Sequence, residues 1–279
     1  MVRSMVSILI CLLLACCGNN QNSQETNTLI PNQQWPDVLS AEEVEDTLKT
    51  DTIPVYARRI IDAYPDFRIR YSDNRLIFPD SSAILCDDGK QKTFTGMLDS
   101  CDVEDMFSMD YDTVSTIPSY LSDCGRARCE ELFKKMYGSK DSEARKNLVI
   151  VEWFGRKLLF SKVNGAAGQL EKVAAELAER PHLKKYLTNS TSYYWRKVRG
   201  AKRQSTHSYG IAIDINVSYS DYWLWSNPKA KESDQIKYRN RIPIEIVRIF
   251  ERHGFIWGGR WYHYDTMHFE YRPELVLQF

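Results

Sequence analysis

An α+β fold, with a mostly antiparallel sheet and flanking helices, is predicted by three features of the chain. Residues 148–151 and 157–160 are short apolar runs at hairpin spacing around Phe154-Gly155-Arg156 and read as a strand pair. Residues 168–180 instead place Leu170, Val173, Ala174 and Leu177 at the 3.6-residue period of a half-buried helix. Further along, Ile211, Ile213, Ile215 and Val217 alternate with Ala212, Asp214 and Asn216, the period-two pattern of a strand with one face in a core. There is no internal repeat, so this mixture of helices and hairpin-like strands is assigned to the α+β class.

Residues 1–15 carry Arg3 and then an apolar run from Met5 to Ala15, too short to span a bilayer, and read as a secretion signal. The run ends Leu13-Leu14-Ala15-Cys16, which looks like a bacterial lipoprotein box with Cys16 as the lipidated residue. Cys17 is the second choice, and an ordinary cleaved signal with Cys16 incidental is the alternative. Residues 16–34 are rich in Asn and Gln, bury too little to order themselves, and read as a flexible tether.

Residues 35–146 form an amino-terminal extension expected to pack on the core. It has short helices at 41–48, after Ser40, and at 55–63, with turns at Pro79-Asp80 and Asp88-Gly89. No catalytic constellation is legible there, and Asp99, Asp102, Glu104 and Asp105 are expected on a solvated face. Cys86, Cys101, Cys124 and Cys129 are an even number in an oxidising compartment, which permits three pairings. Cys124 with Cys129 is the first choice, closing a small loop before a helix-like stretch at 129–137; free thiols are the alternative. Residues 147–279 form the core domain. Its second helix starts at Pro243, buries Ile246, Ile249 and Phe250, and stops at Gly254.

The chemistry concentrates in two segments. In Ser205-Thr206-His207-Ser208-Tyr209-Gly210-Ile211-Ala212-Ile213-Asp214 the buried isoleucines leave Asp214 on the other face, toward a cleft. His207 stands an odd number of residues earlier, so the chain must turn to bring both to one side, and Gly210 permits it. In Asp265-Thr266-Met267-His268-Phe269-Glu270, His268 and Glu270 share one face of a second strand while Phe269 and Tyr271 share the other. Two imidazoles and a carboxylate suit one zinc ion, with the fourth tetrahedral position left for water.

The full pattern is Ser-x-His-x-x-Gly-x-Ala-x-Asp, then Gly-Phe-Ile-Trp-Gly-Gly-x-Trp, then Asp-x-x-His-Phe-Glu. It resembles the zinc D-Ala-D-Ala carboxypeptidase, D-Ala-D-Ala dipeptidase and L-Ala-D-Glu endopeptidase family of bacterial cell-wall peptidases. That resemblance implies His207, Asp214 and His268 as ligands of one Zn2+ and the small zinc DD-peptidase fold shared with hedgehog signalling domains. It makes Asp265 the general base acting on a zinc-activated water, with Glu270 a rival. It gives Arg196 the substrate carbonyl or oxyanion and Ser205 the substrate's terminal carboxylate. Trp257 is expected to line the substrate cleft or else to lie in the core, and His263 is not expected to be a ligand.

The 37 basic and 37 acidic residues balance, and nothing in their distribution suggests a nucleic-acid partner. The expected protein is an exported, periplasm-facing monomer that touches the membrane only through a lipid on Cys16 and cuts peptidoglycan stem peptides beside a D-residue. Carboxypeptidase and endopeptidase action are not separated by these residues. A non-catalytic, zinc-stabilised cell-wall-binding domain is the alternative of another class, and a zinc amidase a third.

Overall fold

The computed structural model describes residues 52–226 and 228–276. The secretion signal, Cys16, the tether and the helix expected at 41–48 lie outside the described residues. Among the described residues no helix is long and apolar enough to cross a membrane.

The strands form three small antiparallel sheets. β1 (Arg70–Ser72), β2 (Arg75–Ile77) and β3 (Ala83–Leu85) make a meander. β4 (Leu148–Trp153) and β5 (Arg156–Ser161) make a hairpin. Its two turn residues, Phe154 and Gly155, both have positive φ, as a turn matched to strand twist requires. β6 (Ala212–Asp214), β7 (Phe255–Trp257) and β8 (His268–Tyr271) form the third sheet in the order β6-β8-β7, so β8 lies in the middle.

Around the sheets stand α1 (Val55–Ala63), α2 (Phe94–Asp99), α3 (Glu130–Tyr137), α4 (Asp141–Arg145), α5 (Ala166–Ala178), α6 (Lys184–Leu187), α7 (Trp223–Ser226), α8 (Ile244–Arg252) and α9 (Pro273–Val276). The hairpin, α1, α5 and α8 fall where local sequence placed them, because each carries its own periodicity and stop. α8 follows Pro243 and buries Ile246, Val247, Ile249 and Phe250. The run from Ile211 departs from expectation at its far end. Ile211, Ile213 and Ile215 are buried, but Val217 is 48% exposed and opens a 3-10 turn. Asn216 causes this: its side-chain oxygen accepts from the Ser218 N–H and its amide donates to Lys185 O, so the strand cannot continue.

One apolar core contains Tyr64 and Leu76 from before residue 147 together with Trp153, Phe160, Phe250 and Phe269 from after it. Arg59 donates to the carbonyls of Glu274 and Leu275 at 2.9 and 3.0 Å, and Tyr64 donates to the Glu274 carboxylate at 2.6 Å. Two expectations for this region are corrected. Cys124 and Cys129 are not joined: all four cysteines are thiols, with Cys129 in the main core and Cys124 in a separate cluster with Ile256, Trp261 and Leu275. Asp102 and Asp105 are not a free solvated face, because both bond Lys92, and Asp99 bonds Arg203.

Gly210 makes the turn between the two motif ligands of the first segment, at φ +70°, and a Cβ there would lie 2.4 Å from Leu148 Cδ2. Gly210→Ala is therefore expected to lose about 1–3 kcal/mol, read as a lowered urea midpoint at unchanged slope. Wild-type stability in that variant would contradict the close approach.

Candidate metal centre

Asp214 is the last residue of β6 and stands directly across from His268, the first residue of β8. Residues opposite one another in an antiparallel pair project from the same face, so the register alone brings the carboxylate to the imidazole. His207 arrives from outside the sheet, on the 3-10 turn Thr206–Tyr209. That turn is secured by the Tyr194 and Gly210 N–H groups, both donating to His207 O.

The three donor atoms close a triangle. His268 Nδ1 is 3.0 Å from Asp214 Oδ1, His207 Nε2 is 3.2 Å from the same oxygen, and the two imidazole nitrogens are 3.2 Å apart. An ion with tetrahedral bonds of about 2.0–2.1 Å spaces its ligands about 3.3–3.4 Å apart, so this set fits a single small divalent cation. Burial opposes a charge on His268, yet its hydrogen bonds to Asp214 and Glu270 push its pKa up to about 10. Asp214, despite its own burial, is held below the usual carboxylate range by the two imidazoles. The cluster is thus built to hold positive charge at its centre.

Groups behind the ligands fix which nitrogen faces inward. His207 Nδ1 lies 2.6 Å from Ser192 O, and donating there leaves Nε2 as the free acceptor. His268 Nε2 lies 3.2 Å from Glu270 Oε2, which leaves Nδ1 for the centre. Glu270 is fully buried; burial opposes its ionisation, but the His268 hydrogen bond and the Arg128 and Arg272 charges keep its pKa low. It therefore orients a ligand and does not face the cleft as a base.

Asp265 lies beside the triangle, bridged in backbone to Tyr222 and tied by its N–H to Gly258 O at 2.9 Å. A Cβ on Gly258 would sit 2.5 Å from Asp265 O, so this approach needs glycine. Asp265 Oδ1 is buried and has no hydrogen-bond partner among the described residues. Burial, and then the nearby Asp214 charge, raise the Asp265 pKa to about 7.

A cavity of about 380 Å³ opens over the cluster, and Asp265, Arg196 and Ser205 line it with the three candidate ligands. Arg196 and Ser205 are adjacent because Ser205 N donates to Arg196 O at 3.0 Å. Trp257 is not among the lining residues and belongs to the core. It stacks on Phe269, and its indole N–H donates to Thr266 O at 2.9 Å. The aromatic wall comes from Tyr222, Trp223, Trp225 and Trp261.

The sequence reading missed Arg126 and Arg128, which reach the cavity from the extension where no constellation was legible. The alternation Arg126-Ala127-Arg128 between two cysteines was their only signal. It also missed a buried network: Arg126 bonds Asp123 at 2.6 Å and Glu232 at 2.8 Å, and His263 bonds Asp123. Asp123, Glu232 and His263 converge closely enough to suggest a second metal group, but the Arg126 guanidinium already occupies the space between the two carboxylates by pairing with both.

A His-Asp-His set with one side open to a cleft is of the kind that metal-dependent hydrolases use, in contrast to a closed four-ligand structural site. Residues 199–271 match the family model described as D-alanyl-D-alanine carboxypeptidase. The match covers both segments singled out above and about a quarter of the chain, and it bears out the resemblance drawn from them. The segment is thus similar to that peptidase family. No curated protein and no solved structure matches the chain.

Two outcomes follow from these contacts. Glu270→Gln should weaken zinc binding by about 10–100-fold with the fold retained, measured by competition with a chelator; an unchanged dissociation constant removes Glu270 from any role in orienting His268. Asp123→Asn should cost about 3–5 kcal/mol at pH 7 by breaking a buried ion pair. Although burial opposes ionisation of Asp123, Arg126 and His263 keep its pKa lowered. The wild-type advantage is therefore present above about pH 4 and shrinks as the pH falls further. Denaturant titrations of both proteins from pH 7 to pH 3 check it, and parallel stability curves would contradict it.

Proposed function

We propose that this protein is a zinc-dependent peptidoglycan peptidase, hydrolysing stem-peptide amide bonds next to a D-residue as a D-Ala-D-Ala carboxypeptidase or L-Ala-D-Glu endopeptidase. The observation that carries the reading is the meeting of His207 Nε2, Asp214 Oδ1 and His268 Nδ1 within 3.2 Å of one another, beside Asp265, whose buried Oδ1 has no hydrogen-bond partner among the described residues. The family match over residues 199–271 supports the substrate class. The β6-β8-β7 sheet with flanking helices supports the zinc DD-peptidase arrangement, with a catalytic domain beginning at residue 147 and the described part of the extension, residues 52–146, sharing its core.

When bound, the ion would supply a water acidified from a pKa of about 15.7 to about 7 and a polarised scissile carbonyl. His207, Asp214 and His268 would hold it. Asp265 takes the proton at Oδ1 and returns it to the leaving amine; a carboxyl raised to about 7 by burial can do both near neutral pH. Arg196 opens onto the same cleft and supplies fixed positive charge for the oxyanion. Ser205, buried at the cleft floor, supplies a hydroxyl for a substrate carboxylate. The leader and Cys16 support export and a lipid anchor, which would set the domain facing the periplasm beside its polymer.

Asp265→Ala should retain zinc and lose roughly 10²–10⁴-fold in turnover of defined muropeptides, with the product masses giving the bond. If wild type and variant both bind zinc and neither cleaves any stem peptide, the domain is a binding module. Release of the intact stem from the glycan would instead identify an amidase.

A further inference from the structure

The cleft is lined by charges of both signs: Asp214 and Asp265 with the imidazoles, and Arg126, Arg128, Arg196, Arg199 and Arg203. These five cations are not equally matched. Arg126 bonds Asp123 at 2.6 Å and the two oxygens of Glu232 at 2.8 and 2.9 Å, so its charge is spent. Arg196 and Arg199 are exposed, where water screens them.

Arg128 is different. Its side chain is 8% exposed, and its nearest carboxylate, Glu270, is 4.0 Å away. Glu270 is already engaged by His268 and Arg272. The guanidinium of Arg128 donates instead to two uncharged acceptors, Gly125 O at 3.3 Å and Gln204 O at 3.1 Å. Arg203, the residue before Gln204, has an 11% exposed side chain and one carboxylate contact, to the exposed Asp99 at 3.2 Å. Burial lowers the pKa of both arginines; the Arg272 charge adds to the effect at Arg128, and the Arg126 and Arg128 charges add to it at Arg203. A cation taken out of water is costly unless it is paired, and the direction left open to Arg128 is the cleft.

We propose that Arg128, with Arg203 beside it, binds a free carboxylate of the peptide lying in the cleft, so that the site selects acidic peptides over their amidated forms. That the occupant is a peptide rests on the peptidase reading; the carboxylate preference itself does not require cleavage. Arg128 lies outside the segment matched by the family model, so this selectivity belongs to the extension as much as to the motif. Two carboxylates of a stem peptide share the required chemistry, the carboxy terminus and the α-carboxylate of a γ-linked D-glutamyl residue.

The test measures calorimetric affinity of the zinc-loaded chain for one stem peptide in four forms: the parent, its carboxy-terminal amide, its D-isoglutaminyl analogue, and the doubly amidated peptide. Asp265→Asn serves as the background so that turnover does not intervene. Removing the recognised carboxylate should weaken binding roughly 10–100-fold, and the single amide that does so identifies which carboxylate is read. In Arg128→Gln the penalty should fall to within threefold, with Arg128→Lys intermediate. A peptide whose affinity ignores both amidations, or a penalty unchanged in Arg128→Gln, overturns the proposal. If thermal unfolding shows that Arg128→Gln does not fold, Arg203→Gln carries the same test, and a penalty that falls less than threefold there overturns it. Wild type that cleaves these peptides without preferring the acid forms retains the peptidase reading and loses this site. Wild type that cleaves none but keeps an Arg128-dependent preference does the reverse.

Discussion

The geometry of the centre depends on a row of buried charges behind β8. Glu270, Arg272 and Glu274 are each fully buried, and Arg272 bonds both carboxylates, the Glu270 contact being 2.9 Å. Tyr64, the residue after α1, donates to Glu274, and the His268 imidazole lies against the other carboxylate, Glu270. Burying ions costs several kcal/mol each unless every one is paired. This row therefore admits few arrangements of the strand. A one-residue slip of β8 would put Phe269 where His268 stands and drive Glu270 toward the aromatic core, and both changes are prohibitive.

The two faces of β8 divide the work. Phe269 stacks on Phe250 with ring centres 4.0 Å apart, and Tyr271 packs edge-on against Phe255 at 5.3 Å. These contacts anchor the strand from one side. On the other, His268 meets Asp214 and Glu270 meets Arg272, and the segments that bring Asp214 and His207 to this face are pinned through their own backbones. Thr191 exchanges hydrogen bonds with Asp214, at 2.9 and 2.8 Å, and Ser192 O reaches His207. A three-residue strand holds Asp214 firmly here because its neighbours on both sides are fixed by the chain that also orients His207.

Much of this was legible because it is written in short periods. The alternation through Ile211 to Ile215 and through His268 to Tyr271 gives the faces of β6 and β8, and Gly210 marks the turn that brings His207 round. What was not legible depends on partners far away in the chain. Arg126 meets Glu232 across 106 positions, and Arg128 meets Gln204 across 76, distances at which no local pattern operates. Trp257 and Trp261 stand four apart in one glycine-rich segment, yet the first enters the core and the second lines the cleft. The 3-10 turn Gly258–Arg260 decides that, and two adjacent glycines left the turn undetermined. The cysteines were misjudged by proximity in sequence: the short stretch between Cys124 and Cys129 turns them into different clusters.

The segment that backs Arg126 is held on other principles. Residues 228–241 are largely exposed, and polar contacts hold them: Glu232 on Arg126, Ile236 N–H on Tyr262 OH at 2.7 Å, Tyr238 OH on Gly259 O at 2.8 Å, and Arg241 on Asp221. Such segments open at lower free energy than a strand packed on a core, since little apolar surface is uncovered. The metal side cannot yield in this way without breaking the buried ion row. Opening of residues 228–241 would thus leave His207, Asp214, His268 and Asp265 in place. A buried cluster beside a polar, separately anchored segment also explains why the motif is compact in sequence although the cleft is not: only the parts held by burial have to be contiguous with the strands that carry them.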